Sequence, residues 1–199
     1  MVRLVLSTAA MLVLGACSGG PGSTHAPPCP EGALDQPARA DAIVARLASV
    51  PEGAAIVESA RARVARICFG SGASVIDDER TVLLDRALSE GEAASRLGHL
   101  MMHARDGSPY QPGSDCEVVV ARALDAEARA HAVELALRRA LSVRGEALVY
   151  ELEPVFWETP ERDRVALVRA WLESHPDGGG GFDALGAGYR ERCERDRAD

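Results

Sequence analysis

The chain has 199 residues, 47% of them hydrophobic and only 4% aromatic, enough to bury a core but with few large aromatic anchors. A formal charge of −8 at pH 7, with no basic patch interleaved with aromatics, argues against nucleic acid or an anionic membrane surface as a direct partner. All 22 basic residues are arginine, which reads as coding bias rather than function, and no internal repeat is visible.

Residues 1–16 read as a signal peptide. Arg3 gives a positive start, and Leu4 to Ala16 is an apolar run with small residues at its end, too short to span a membrane. The run closes on Leu14-Gly15-Ala16-Cys17, which resembles the lipobox of bacterial lipoproteins. The resemblance implies removal of residues 1–16, acylation of Cys17 and attachment to a lipid bilayer through that residue. Ser18 rather than Asp follows the cysteine, which in that family implies the outer membrane of the bacterial cell envelope. Residues 17–34 then read as the lipidated cysteine and a tether rich in Gly, Pro and Ser, and residues 35–199 as one domain.

Within that domain, Ala40, Ile43, Val44 and Leu47 recur at helical spacing and predict a first helix over Asp35 to Ala48. Pro51 and Gly53 are expected to break it, with a second helix over Ala54 to Arg63. Val64 to Phe69, bounded by Gly70-Ser71-Gly72, reads as a strand. Val75-Ile76 and Thr81 to Leu84 read as two short strands about a polar turn. The expected class is α+β, mainly helical, with a small sheet preceding the next helix.

That helix carries the stretch of greatest interest. Ser89 and Glu92 fit the S-x-x-E capping box, and Ala93, Leu97, Leu100 and Ala104 form an apolar stripe of helical period. His99 and His103 stand four residues apart beside that stripe, so both imidazoles leave one helix face, which is the half-site a zinc ion takes from a helix. Asp106-Gly107-Ser108-Pro109 ends the helix, and Ser114 to Glu117 reads as a second capping box. The long helix that follows, to about Ser142, has the inward stripe Val120, Leu124, Glu127, His131, with Glu134 one turn on. A carboxylate and an imidazole in an apolar stripe must be paired or bound to metal. Asp125 is rotated about 160° from Glu127 and faces elsewhere.

Gly145 breaks the long helix. Thr159-Pro160-Glu161 predicts a helix to about Glu173, with Val165, Leu167, Val168 and Trp171 inward, and Phe182 to Arg195 predicts a last helix carrying Cys193. Phe156 and Trp157 read as core, and His25 and His175 receive no role.

Setting Cys17 aside leaves Cys29, Cys68, Cys116 and Cys193, an even set that suggests two disulfides in an exported chain. Of the three possible pairings, Cys68–Cys116 with Cys29–Cys193 is favoured. The first would pin the strand region to the second long helix, and the second would tie down both termini. No C-x-x-C spacing supports a cysteine zinc site.

Over residues 60–140, the order of strand, capped helix and His99-x-x-x-His103 resembles the zincin metallopeptidases, whose motif is H-E-x-x-H. In the gluzincin branch the third ligand is a Glu on a later helix, and Leu124-Asp125-Ala126-Glu127-Ala128 resembles their Glu-Ala segment. The resemblance implies zinc held by His99, His103 and Glu127, with His131 as the substitute ligand. One departure matters most: Leu100 occupies the general-base position, where active members have Glu, so no catalytic residue is assigned. Three readings stand: an active zinc hydrolase; a non-catalytic zincin-like domain tethered to the outer membrane, with or without metal; and a helical lipoprotein unrelated to zincins. In the last, the histidines are core and Glu127 pairs with Arg96 or His131. The second reading is preferred, because leucine offers neither lone pair nor proton. The sequence names no substrate and no protein partner.

Overall fold

A computed structural model describes residues 27–72, 74–77, 80–143, 151–179 and 182–198. The signal peptide, Cys17, most of the tether, His25 and Gly145 lie outside the described residues.

The chain enters through a two-residue strand, β1 (Leu34–Asp35), and then helix α1 (Pro37–Ala48). The helix begins two residues later than its apolar period implies. Leu34 and Asp35 are committed to the sheet, and Pro37 sits in the first turn, where a missing N–H costs nothing. Pro51 likewise opens helix α2 (Pro51–Ala60) instead of ending α1, and a 3-10 turn, Arg61–Arg63, follows. Gly53 lies in the first turn of α2. A Cβ there would stand 2.0 Å from the Leu47 carbonyl oxygen, so the sharp α1–α2 corner requires glycine.

The expected sheet is present, with β2 (Arg66–Gly70), β3 (Val75–Ile76) and β4 (Thr81–Asp85) in the order β1-β2-β4-β3. The two central strands run parallel, with Ile67 opposite Val82, and both edges are antiparallel. Helix α3 (Glu90–Asp106) follows directly, and its capping box is complete. Ser89 Oγ accepts from the Glu92 amide at 3.3 Å, and Glu92 accepts from the Ser89 amide at 3.0 Å. Helix α4 (Cys116–Ala140) is capped one residue later than the S-x-x-E pattern suggests. Asp115, not Ser114, accepts from the Glu117 and Val118 amides, its charge favoured at a helix N-terminus.

The C-terminal part departs further from expectation. A short helix, α5 (Glu153–Glu158), precedes Thr159, whose hydroxyl donates back to the Val155 carbonyl at 2.8 Å. Thr159 therefore closes α5 rather than opening the next helix. A 3-10 turn, Glu161–Asp163, leads into α6 (Arg164–Ser174). Val168 and Leu172 face inward from α6, whereas Val165, expected to do so, is 40% exposed. Helix α7 (Leu185–Asp196) ends the described chain.

Helix α4 organises the packing because it is apolar on two sides. On one side α1, α2, α3 and the sheet share a core containing Ile43, Leu47, Phe69, Leu84, Leu97 and Met101. On the other, α5, α6 and α7 cover Val120, Leu124, Leu135, Phe156, Val168 and Leu172. Each such buried aliphatic side chain contributes roughly 1.5–3 kcal/mol. Phe156 is core, as expected, and Trp157 packs against it from the half-buried rim.

All four remaining cysteines are paired, but not as favoured above. The disulfides are Cys29–Cys68 and Cys116–Cys193, with Cα separations of 5.8 and 5.6 Å. The reason is topological. β1 lies antiparallel to β2 with Asp35 opposite Cys68, which brings the N-terminal segment back to that strand. α7 runs antiparallel to α4, placing Cys193 beside the first residue of α4. Each bridge closes a long loop, the kind of constraint worth about 2–4 kcal/mol.

Candidate metal centre

Helices α3 and α4 cross antiparallel at Gly98. A Cβ there would fall 2.2 Å from Leu137 Cδ1, so the absent side chain sets how closely the helices approach. That approach brings His99 and His103, one turn apart on α3, against Glu127, His131 and Glu134, which share one face of α4 at spacings of four and three. All five are buried, none more than 7% exposed.

The three residues chosen from the sequence meet at a point. His99 Nε2 and His103 Nε2 are 3.0 Å apart, and Glu127 Oε2 lies 3.2 Å from His103 Nε2 and 3.3 Å from His99 Nε2. Zinc–ligand bonds of about 2.0–2.1 Å in a tetrahedron require ligand–ligand edges of about 3.3–3.4 Å. The triangle is therefore close to three corners of a zinc tetrahedron. His131, the substitute ligand, stands behind it: its Nε2 is 3.9 Å from Glu127 Oε2, while its Nδ1 turns to Glu134 Oε2 at 3.4 Å. Asp125 faces outward, bonded to Arg169 at 2.7 Å, and Glu92 is taken by its own helix cap.

A second ring of groups holds the first. Glu134 Oε2 is 3.3 Å from His99 Nδ1, and Glu134 Oε1 is 3.2 Å from Arg96 Nε. Arg96 thus pairs with Glu134; of the two partners the third sequence reading offered Glu127, His131 is the one within reach, at 3.9 Å. Tyr189 of α7 donates its hydroxyl to the other Glu127 oxygen, Oε1. Nothing in the sequence pattern marks Tyr189, which lies 62 residues from Glu127 and reaches it only because α7 folds back along α4.

The charges explain why the cluster suits a cation. Burial opposes ionisation of Glu127, but hydrogen bonds from His103 and His99 outweigh it and hold the carboxyl well below its ordinary range. Glu134 is held low in the same way: burial opposes ionisation, while the Arg96 charge, then His131 and His99, favour it. For His99, burial disfavours the charged ring, yet the bonds to Glu127 and Glu134 prevail and raise its pKa. Burial, helped by the nearby His99 charge, pushes His131 down to about 4, so it is neutral near pH 7. Burial first, and then the Glu127 charge, push Tyr189 up, keeping it a donor. When the His99 ring is neutral, the Glu134 carboxylate 3.3 Å from Nδ1 favours the proton on that nitrogen and leaves the Nε2 lone pair toward His103 Nε2 and Glu127 Oε2. A proton on His103 Nε2 can satisfy one of its two neighbours at a time, whereas a cation at the centre satisfies all three. Buried His and Glu residues in this arrangement can hold a metal ion.

The triangle opens on a cavity of about 280 Å³ lined by Val75, Ile76, Leu100, Tyr110 and Tyr189 together with the ligands. Leu100, 4% exposed, forms part of its wall next to His99. Asp183, just ahead of α7, borders the same cavity. Larger grooves of about 380 and 480 Å³ elsewhere on the surface contain no imidazole. No family model, no curated protein and no solved structure matches the chain.

Proposed function

We propose that this chain is a lipoprotein, held in the outer membrane of a bacterial envelope through acylated Cys17, whose zincin-like domain binds one zinc ion and does not hydrolyse peptides. The observation that carries the metal reading is the buried triangle of His99 Nε2, His103 Nε2 and Glu127 Oε2, with edges of 3.0–3.3 Å. When bound, zinc supplies a positive charge that polarises whatever occupies its fourth position. Turnover needs in addition a base beside that position, and the chain places the leucine side chain of residue 100 in that wall. Lack of a positioned base costs about 10²–10⁴ in rate. Among the described residues no helix is long and apolar enough to cross a membrane, and the anchoring in this proposal rests on Cys17 alone.

The test is hydrolysis of a mixed peptide library by the full-length, zinc-loaded protein in detergent. No cleavage above background is expected. Chelator-sensitive cleavage that His99→Ala abolishes would restore the hydrolase reading. One observation favours that alternative: Asp183 offers a carboxylate to the same cavity. If activity is found, Asp183→Asn shows whether that residue has taken over the base's task.

A further inference from the structure

We infer that Glu134 is a positioning residue of this centre, fixing His99 as the Nδ1–H tautomer so that its Nε2 lone pair points at the metal position. The inference rests on the reading that His99, His103 and Glu127 hold a metal. Glu134 lies two turns beyond Glu127 on the same face of α4 and is 2% exposed. Its oxygens face away from the triangle. Oε2 is shared between His99 Nδ1 at 3.3 Å and His131 Nδ1 at 3.4 Å, and Oε1 meets Arg96 Nε at 3.2 Å. Since Arg96 and His99 come from α3 and His131 from α4, this one carboxylate is braced by both helices that supply the ligands.

The chemistry follows from the proton count of an imidazole. A neutral ring carries one N–H and one lone pair, and a carboxylate beside Nδ1 takes the N–H. The lone pair is then left on Nε2, 3.0 Å from His103 Nε2 and 3.3 Å from Glu127 Oε2. The same contact makes the ring a better donor to a cation. His99 Nδ1 and Glu134 Oε2 are both buried and neither makes an aligned hydrogen bond; at 3.3 Å each lies within ion-pair reach of the other, and Glu134 Oε2 has His131 Nδ1 at 3.4 Å as well. A plain structural ion pair between Arg96 and Glu134 would need only Oε1 and would leave His99 indifferent to residue 134.

Two measurements on the full-length protein in detergent separate these roles. The first is the imidazole nitrogen spectrum of metal-free wild type, recorded at a pH high enough that the His99 ring is neutral. His99 should be the Nδ1–H tautomer, and the Nε2–H tautomer would overturn the inference whether or not zinc binds. The second is zinc affinity by chelator competition for wild type, Glu134→Gln and Glu134→Leu, with folding checked by circular dichroism. Loss of a second-layer carboxylate typically weakens metal binding 10–100-fold, and that loss is expected for both variants. Folded variants with wild-type affinity would overturn the inference. Should the variants fail to fold, the wild-type tautomer decides. A wild type that binds no zinc but shows His99 as Nδ1–H would refute the metal reading while leaving Glu134's hold on the ring intact.

Discussion

Gly98→Ala tests how the two ligand-bearing helices approach one another. The new Cβ would stand 2.2 Å from Leu137 Cδ1 and 3.5 Å from Leu47 Cδ1. Carbon atoms pack at about 3.5–4.0 Å, so at least about 1.3 Å must open between Cβ and Leu137. Leu137 and Leu47 are both fully buried, so neither has free space to rotate into. Overpacking of this kind costs about 1–3 kcal/mol. Replacing a mid-helix glycine by alanine returns about 1 kcal/mol of helix propensity. With both neighbours enclosed the upper half of the range applies, and the net loss should be about 1–2 kcal/mol. The assay is urea unfolding of the metal-free protein in a double-mutant cycle with Leu137→Ala. In the Leu137→Ala background the obstruction is gone, and Gly98→Ala should be neutral or stabilising. The reasoning is refuted if Gly98→Ala stabilises the wild type, or if its penalty is the same with and without Leu137. Because the triangle spans α3 and α4 with edges of 3.0–3.3 Å, Gly98→Ala should also weaken zinc binding.

The remaining predictions concern anchoring, redox state and pH. Cys17→Ser should release the protein from membranes on fractionation, and tight association of that variant would contradict acylation as the anchor. Thiol titration of the acylated, denatured but unreduced protein should find no free thiol, since Cys29, Cys68, Cys116 and Cys193 are all paired; two or more reactive thiols would count against that. The metal-free protein should lose stability in acid. His131 titrates at about 4 when folded and at about 6.5 when unfolded, so its contribution is lost as pH falls through that interval. Glu127 and Glu134, both depressed, add a loss at lower pH as they are forced to protonate. His99, raised, works the other way: its contribution is complete below about 6.5 and fades as pH rises through its folded value. A urea midpoint that stays flat from pH 7 to pH 4 would contradict this set of assignments.

Much of the site was legible because helical period turns spacing into direction. The Ser89 and Glu92 box located the start of α3, and the four-residue step from His99 to His103 placed both rings on one face. Glu127 stood out because a carboxylate in the middle of the Val120–Leu124–His131 stripe needs a partner. The three-dimensional partners were not legible in the same way. Tyr189 and Arg96 carry no mark of their roles, since each role depends on which helices become neighbours. The disulfide pairing failed for the same reason. The antiparallel docking of α7 on α4 decides that Cys193 meets Cys116, and chain order says nothing about it. Helix α5 is too short, at six residues, to show a period, and β1 is a two-residue strand formed only by pairing with β2. The shift of the α4 cap from Ser114 to Asp115 reflects two adjacent residues that both make good caps.

The central claim is that His99, His103 and Glu127 form a metal site, and zinc content with affinity tests it most directly. Full-length protein in detergent is equilibrated with zinc, dialysed against metal-free buffer and assayed for zinc per chain, beside His99→Ala, His103→Ala and Glu127→Ala. The account predicts one zinc per wild-type chain and loss of retained zinc in each of the three variants. A wild type that retains none, or variants that retain as much as wild type, would contradict it.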